Sequence, residues 1–256
     1  MSKYNELSLD DKITQIAEWV ANSKHLVAFT GAGISTESGI PDFRGPDGLW
    51  TRRDKGLPPP KMEKSWSEIQ PNSGHLALVE LQNMGLLKFL VTQNVDGLHL
   101  ISGIKPDILA ELHGNSNFMV CLSCNKKMTY EEADWDKSRW GPGYRTSSVN
   151  EFQPTCPNCD GRIISSVVNF GDPLPEVDFL KSHEHSDQAD VYLIIGSSLV
   201  VTPAADLPEL ARKNNAKTIL INMGHTPYDE LVDIKIEEKI GGIITKIVSL
   251  VKENLS

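Results

Sequence analysis

The chain has 256 residues, of which 39% are hydrophobic and 23% are charged, and its formal net charge is −9. This length suits one large domain with a small inserted module. An acidic surface does not attract phosphate, which disfavours direct nucleic-acid binding, and no run reaches the roughly 18 apolar residues of a membrane span. The polar segment MSKYNELSLDDK at the start is untypical of a secretion signal, so a cytoplasmic protein is expected.

The hydrophobic pattern predicts helices that alternate with short buried strands. An amphipathic helix is predicted over residues 8–24, and further helices are predicted over 76–85, 176–188, 203–214 and 240–254. Short apolar runs predict strands at 25–30, 88–92, 163–169, 191–195 and 218–221. The proline-rich stretch 41–75 is predicted to be loop with short helices. This order predicts an α/β fold: a mostly parallel, Rossmann-type sheet with helices on both faces.

All four cysteines stand in two Cys-x-x-Cys pairs, Cys121 with Cys124 and Cys156 with Cys159. Paired cysteines at this spacing favour tetrahedral zinc bound by thiolates, and the long intervening loop costs little entropy. Four thiolates leave no open position for water, so the zinc is expected to be structural. A redox or disulfide role is the alternative.

Two glycine-containing loops follow the first predicted strand. Gly31-Ala32-Gly33 would let backbone N–H groups approach a pyrophosphate, although a plain glycine turn is the alternative. Its spacing is not G-x-G-x-x-G, and no acidic residue about 20 positions on ends a second predicted strand, which disfavours a dehydrogenase. In the second loop Phe43 could stack on a ligand ring and Arg44 could pair with phosphate. A surface loop with a buried phenylalanine is the alternative there.

Polar residues also follow the later predicted strands, where ligands of open α/β sheets bind. After residues 88–92 come an amide pair and a carboxylate that could hold ribose hydroxyls and a carboxamide. The end of the strand predicted at 163–169 leads into an extended segment suited to pairing with a peptide backbone. A serine-rich turn follows 191–195, and an asparagine follows 218–221. These positions are Gln93, Asn94, Asp96, Val168, Phe170, Gly171, Gly196, Ser198 and Asn222. Ordinary turn chemistry is the alternative for each.

His113 precedes Gly114 and is a candidate general base near neutral pH, although a single histidine is weak evidence. The ordered set of motifs is more specific. In chain order they are GAGIST, SGIPDFRG, TQNVDGLH, the HG at 113–114, both Cys-x-x-Cys pairs, NFGD, GSSL and IN, and together they resemble the sirtuin family over about residues 26–240. Segments 44–51 and 91–99 are similar to the chromatin-associated nuclear subgroup, whereas NFGD at 169–172 is similar to bacterial and archaeal enzymes.

The resemblance implies an NAD-dependent protein-lysine deacylase that releases lysine, nicotinamide and O-acyl-ADP-ribose, with NAD as co-substrate and one structural zinc. It implies a large Rossmann-type NAD-binding domain made of residues 1–44, 88–117 and 163–256. Residues 45–87 would form a loop and helical insertion of the small domain, and residues 118–162 its zinc-binding module. The expected partner is an acyl-lysine protein or peptide, without nucleic acid or membrane, and the enzyme is expected to be a monomer.

The resemblance also assigns roles residue by residue. His113 and Asn94 would be catalytic, with His113 as the base. The zinc ligands would be Cys121, Cys124, Cys156 and Cys159, and the substrate would contact Val168, Phe170 and Gly171. NAD would be bound by Gly31, Ala32, Thr36, Asp42, Phe43, Arg44, Trp50, Gln93, Asn94, Asp96, His113, Gly196, Ser198, Asn222, Gly224 and Ile240.

Two other functions use the same features. A protein mono-ADP-ribosyltransferase would share the NAD site, and a non-catalytic NAD sensor would share the fold but needs no base. Within the deacylases, the desuccinylating sirtuins resemble one another in a Tyr-x-x-Arg pair. No tyrosine stands between Trp50 and His75 here, so weak activity on succinyl-lysine is expected.

Overall fold

The computed structural model describes residues 4, 6–62 and 64–255. The strands in chain order are β1 Leu26–Thr30, β2 Leu87–Thr92, β3 Leu109–Glu111, β4 Phe118–Cys121, β5 Lys127–Thr129, β6 Ile163–Ser165, β7 Val191–Ile195, β8 Lys217–Ile221 and β9 Ile234–Ile236. The α-helices are α1 Leu9–Asn22, α2 Leu49–Asp54, α3 Ser73–Asn83, α4 Leu98–Ser102, α5 Lys137–Trp140, α6 Glu176–Gln188, α7 Leu207–Lys213 and α8 Ile240–Leu255. Short 3₁₀ helices cover Ala32–Ser38, Trp66–Glu68, Pro106–Ile108 and Ala204–Asp206.

Six strands form one sheet in the order β3-β2-β1-β7-β8-β9, and every neighbouring pair is parallel. The predicted parallel α/β sheet is therefore confirmed. The chain builds the sheet outward from β1 in one direction and from β7 in the other, so the order reverses between these two strands. In open α/β sheets such a reversal leaves a crevice at the C-terminal strand ends, where ligands bind.

Both faces of the sheet are buried, because alternate residues of each strand point to opposite sides. In β1, Leu26 and Ala28 pack with residues of α1, α3 and α8 on one face, whereas Val27 and Phe29 pack with residues of α7 on the other. The continuous apolar runs that predicted buried strands are explained by this two-sided cover. Within the described residues, no helix combines the length and apolar character that crossing a bilayer requires.

A second, smaller sheet is antiparallel and has the order β5-β4-β6. The strand predicted over 163–169 is shorter than expected and pairs with β4 here, rather than with the large sheet. Helix α3, placed by prediction in the insertion 45–87, packs against α8 in the core of the large sheet. Packing therefore differs from the expected domain boundaries at α3 and β6, and the three-part division itself remains a proposal.

Local capping explains why α3 begins earlier than its apolar periodicity suggests. The side-chain oxygen of Asn72 accepts hydrogen bonds from the N–H groups of Gly74 and His75, so the first turn forms ahead of the apolar positions.

Strand β9 was not predicted, because its three residues are too few to show a periodicity.

Candidate active site

A cleft of about 930 Å3 lies at the C-terminal ends of β1, β2 and β7. Its walls come from the turn after β1, the loop before α2, the residues after β2, the segment after β6 and the turn after β7. The volume is at the upper end of the range for small-molecule and cofactor sites, so the cleft can hold a dinucleotide together with part of a second substrate.

Three glycines close the base of the cleft by direct backbone contact. The N–H of Gly33 donates to the carbonyl oxygen of Gly196 at 2.8 Å, and the N–H of Gly31 donates to that of Ile195 at 3.0 Å. A β-carbon on Gly33 would lie 2.7 Å from the Cα of Gly196, and Gly196 itself has a φ of +64°. The glycines thus allow the turn after β1 to contact the turn after β7 directly, and this contact forms the base of the cleft.

A chain of three polar side chains fixes the residues that follow β2. The amide of Asn94 donates to the hydroxyl of Ser35 at 3.2 Å, and that hydroxyl donates to the carboxylate of Asp96 at 2.7 Å. Burial raises the pKa of Asp96, while its hydrogen bonds from Leu98 and Ser35 act in the opposite direction. Ser35 was not predicted as a site residue; its one signal is its place directly after the glycine turn.

His113 presents one nitrogen to the cleft with a defined protonation. Its Nδ1 lies 3.0 Å from the carbonyl oxygen of Gln93, which can only accept, so Nδ1 carries the proton and Nε2 is left as the base. Burial lowers the pKa of His113 below its usual range, and the bond to Gln93 offsets part of this effect. The side-chain amide of Gln93 donates to Ser197 at 2.8 Å, which fixes the whole group.

The segment after β6 runs along the cleft beside His113. The N–H of Val168 donates to the carbonyl oxygen of His113 at 2.9 Å, and Gly114 lies so close to Ser166 that a side chain there would collide with its carbonyl oxygen. The residues from Val168 to Gly171 leave the small sheet at this point. The segment expected to be extended instead forms a turn: the N–H of Asp172 donates to the carbonyl oxygen of Asn169 at 3.0 Å, and Gly171 has a φ of +89°. This turn is held next to the candidate base.

Aromatic rings cover one end of the cleft. Trp50 has its ring centroid 5.0 Å from that of Phe43 and 5.9 Å from that of Phe170, and the guanidinium carbon of Arg44 lies 4.0 Å from the centre of a Trp50 ring. Phe170 is 80% exposed, although it is a large apolar residue. Exposed aromatic surface at the mouth of a cleft is typical of a binding site.

Most of the predicted site residues meet at this cleft. Those on its walls are Gly31, Ala32, Asp42, Phe43, Arg44, Trp50, Gln93, Asn94, Asp96, His113, Val168, Phe170, Gly171, Gly196, Ser198 and Asn222. Three lie elsewhere. Thr36 is exposed and donates to the carbonyl oxygen of Gly33, Ile240 is buried in the core beneath α3, and Gly224 lies just beyond the wall residue Met223. Ser35, Ser197 and Met223 line the cleft without having been predicted.

The four cysteines converge in the small sheet's module. Their sulfurs lie within 4.8 Å of one another; Cys121 and Cys159 are 3.6 Å apart, and Cys124 and Cys156 are 3.7 Å apart. A tetrahedron with Zn–S bonds of about 2.3 Å has edges of about 3.8 Å, whereas a disulfide needs about 2.05 Å. The spacing therefore fits a thiolate metal site and excludes a disulfide pairing.

Both cysteine pairs use the same turn. Residues Asn125 and Asp160 directly follow the second cysteine of each pair, and each has a φ of 57°. Asparagine and aspartate tolerate this left-handed conformation better than other non-glycine residues. The N–H of Ser123 points at the sulfur of Cys121 at 3.4 Å, which stabilises a thiolate. The two halves of the metal site are thus built alike from distant parts of the chain.

A partly buried ion pair joins this module to the strand that precedes the candidate base. Glu111, which ends β3 and is 5% exposed, pairs with Lys127 of β5 and accepts a hydrogen bond from Asn115. Glu111 stands two residues before His113. The module is therefore attached to the large sheet close to the active-site candidate.

Fold and site together define an α/β protein of the nucleotide-binding type, with a four-cysteine cluster suited to a metal and a histidine in its cleft. The Sir2 family model matches residues 31–59 and 59–203, so the chain belongs to the Sir2 family, and the sirtuin resemblance is confirmed.

Relatives from distant organisms agree with this assignment. The NAD-dependent protein deacetylase of Thermodesulfovibrio yellowstonii is 36% identical over 96% of this chain and 98% of its own length. The NAD-dependent protein deacylase 2 of Archaeoglobus fulgidus is 39% identical over 95% of this chain and 98% of its own length. The deacetylase SRT1 of Arabidopsis thaliana is 38% identical over 97% of this chain, which spans 50% of that relative's length.

Solved structures are similar over nearly the whole chain. A Sir2 complex with a p53 peptide and NAD+ has a TM-score of 0.71 and 31% identity, and covers 94% of this chain and 98% of its own. Sir2Af2 bound to a myristoylated histone peptide has a TM-score of 0.68 and 35% identity, and the match covers 96% of this chain and 98% of the Sir2Af2 chain.

Proposed function

We propose that the chain is an NAD-dependent protein-lysine deacylase. The observation that carries this proposal is the position of His113: this residue, with its Nε2 unprotonated, lines one cleft with Asn94, Asp96 and the segment after β6. A dinucleotide site needs no base, and a plain hydrolase needs no dinucleotide site. The relatives with peptide, NAD+ or both in their structures support the same conclusion.

Each group in the cleft is proposed to have its own task. Gln93 and Asn94 would hold the nicotinamide-side ribose, and Asp96 would hold the carboxamide. Bound NAD supplies the electrophilic ribose carbon that accepts the acyl oxygen as nicotinamide leaves. His113 then takes a proton from a ribose hydroxyl through Nε2, which activates that hydroxyl. The carbonyl of Gln93 stabilises the resulting imidazolium through Nδ1–H, which is the usual function of a base-orienting partner.

The peptide is proposed to lie along the segment from Val168 to Gly171, with the acyl-lysine beside the aromatic rings. A neutral acyl-lysine can enter such an apolar passage, whereas a charged lysine would lose its hydration without a counter-charge. The myristoylated peptide in a related structure supports including long acyl chains. The four cysteines are proposed to hold one structural zinc.

The chain is further proposed to be cytoplasmic. It is proposed to be a monomer, which light scattering can test, and to have no affinity for nucleic acid, which filter binding can test.

Labelled NAD separates deacylation from ADP-ribosyl transfer at the same site. We expect NAD carrying label in its adenosine part to be consumed with an acetylated peptide but not with its unmodified form, and the label to stay on a small molecule. Label that becomes covalently attached to protein, with the acetyl group retained, would favour mono-ADP-ribosyl transfer instead.

The pH dependence of kcat/KM should report His113. The base acts in its neutral form, and burial lowers its pKa below the usual value of 6.5. Activity should therefore be retained as pH falls from 8 to 6.5 and be lost only below that value, as the imidazole becomes protonated. An acid limb with its midpoint above pH 7 contradicts this assignment.

Succinyl-lysine should be a poor substrate. Its distal carboxylate would have to pass the aromatic rings of Phe43, Trp50 and Phe170, where the guanidinium of Arg44 is already stacked on Trp50. Burying an unpaired carboxylate is costly, so we expect kcat/KM at least about tenfold below that for an acetyl peptide of the same sequence. Desuccinylation that exceeds deacetylation would overturn this expectation.

A further inference from the structure

Two histidines lie buried beneath the NAD site and take no part in the chemistry described above. His75 at the start of α3 is 0% exposed, and His99 in α4 is 2% exposed. Their ring centroids are 5.0 Å apart. His75 Nε2 and His99 Nδ1 are both buried, and neither has a hydrogen-bond partner among the described residues.

The hydrogen bonds of His75 define its tautomer. The backbone N–H of Asn72 donates to His75 Nδ1 at 3.3 Å, so this nitrogen is the acceptor of the ring. Burial lowers the pKa of His75 to about 4, which keeps the ring neutral. A neutral imidazole with a bare Nδ1 carries its proton on Nε2. The unpartnered nitrogen of His75 is thus a donor.

The tautomer of His99 follows from the threonine next to it. The hydroxyl of Thr30 donates to the hydroxyl of Thr92 at 2.8 Å, so its proton is committed there. Its 2.9 Å contact with His99 Nε2 must then have Nε2–H as the donor. Burial and the nearby His75 lower the pKa of His99 well below its usual value. The ring is neutral and its Nδ1 is an unpartnered acceptor.

The two unpartnered atoms are therefore complementary: His75 contributes a donor and His99 an acceptor. The two rings are also in contact, with their centroids 5.0 Å apart, so packing links the two histidines. The chain continues beyond His99 through Thr30 to the hydroxyl of Thr92, which also accepts the backbone N–H of Asn94 at 3.1 Å. This series of hydrogen bonds therefore runs from His99 to Asn94, the residue proposed to hold the ribose.

The other end of the series reaches the opposite side of the NAD site. The side-chain amide of Asn72 donates to the carbonyl oxygen of Ile34 at 2.7 Å and to the hydroxyl of Ser38 at 3.0 Å. Both acceptors belong to the 3₁₀ helix that follows the glycine turn and carries Ser35. The histidines thus connect the two loops that meet in the Ser35–Asn94 hydrogen bond.

We propose that His75 and His99 are positioning residues that hold the glycine loop and the Asn94 loop in register for NAD. This inference rests on the proposed function for its kinetic consequence, but its structural content does not. Both rings remain neutral with the proton on Nε2, and the order of donors runs from His99 toward Thr92. Loss of any link lets Asn94 shift relative to the ribose, and small misplacements of positioning groups cost large factors in rate.

The tautomers can be measured without any activity. Long-range ¹H–¹⁵N correlation spectra of wild-type protein labelled on histidine nitrogen should show an Nε2-protonated neutral ring for both His75 and His99 near pH 7. Assignment uses spectra of the His75→Phe and His99→Phe variants, or of Thr92→Val if either fails to fold. A protonated Nδ1 on His99, or a charged ring at either position, overturns the proposal.

A double-mutant cycle tests the positioning role. We expect Thr92→Val and His99→Phe each to lower kcat for deacylation about tenfold with the KM of the acyl peptide unchanged, and Thr92→Ser to retain most of the activity. Because both act through one series, the double variant should be little worse than either single one. Rates that multiply, or a Thr92→Val variant as active as the wild type, contradict the proposal. Wild-type protein without deacylase activity but with the expected tautomers would refute only the proposed function.

Discussion

Replacing His113 with alanine should lower kcat for deacylation by at least about 100-fold while the protein stays folded. The imidazole lines the cleft with its Nε2 unprotonated, so the substitution removes the group assigned to take the ribose proton. Its side chain makes one hydrogen bond, to the carbonyl oxygen of Gln93, and is only partly buried. The measurement is product formation from NAD and an acetyl-lysine peptide, alongside thermal unfolding of the same samples.

His183→Ala is the matched control, because His183 is exposed on α6 and does not line the cleft. It should retain the wild-type rate. A His113→Ala variant with deacylation within about threefold of the wild type would remove His113 from its assigned role.

Replacing Cys156 with serine should remove the bound metal and destabilise the zinc module. Cys156 is fully buried in a small core with Met119, Met128 and Trp135. This core is too small to fold firmly without the metal, because structural zinc supplies much of the folding free energy in modules of this size. We expect the zinc content to fall from one atom per chain to near zero and Tm to fall by at least about 10 °C.

Ser123→Ala provides the control for this experiment, since Ser123 lies in the same turn and offers only its backbone N–H to the Cys121 sulfur. It should keep its metal. A Cys156→Ser variant with full zinc content and unchanged Tm would show that the four thiols do not form a structural metal site. Because Glu111 and Lys127 attach the module near His113, loss of zinc should also reduce deacylation.

The parts of the fold that the sequence predicted well are those determined by local composition. Strand β7, Val191–Ile195, has the predicted bounds because five consecutive apolar residues are buried on both faces of the sheet. The metal cluster was predictable because its ligands are set by residue type and spacing. Strand β6 was placed wrongly, since its partner β4 lies far away in the chain and an apolar run does not reveal which sheet it joins.

The same distinction applies to the cleft. The position of Asn94 and His113 on the cleft wall could be predicted, because few residue types can bind ribose or act as a base and both follow predicted strands. Ser35 and Ser197 could not, because serine is common in turns and its role depends on contacts with Asp96 and Gln93 from other strands. Ile240 was assigned to NAD, yet its side chain starts the buried face of α8, where an amphipathic helix packs on the sheet.

The central claim is that one cleft brings NAD and an acyl-lysine together over His113. Mass spectrometry of the products from the wild-type protein, NAD and an acetyl-lysine peptide tests it most directly. We predict equal amounts of deacetylated peptide, nicotinamide and O-acetyl-ADP-ribose. Free acetate with NAD unconsumed, or an acetylated peptide that carries ADP-ribose, would contradict it.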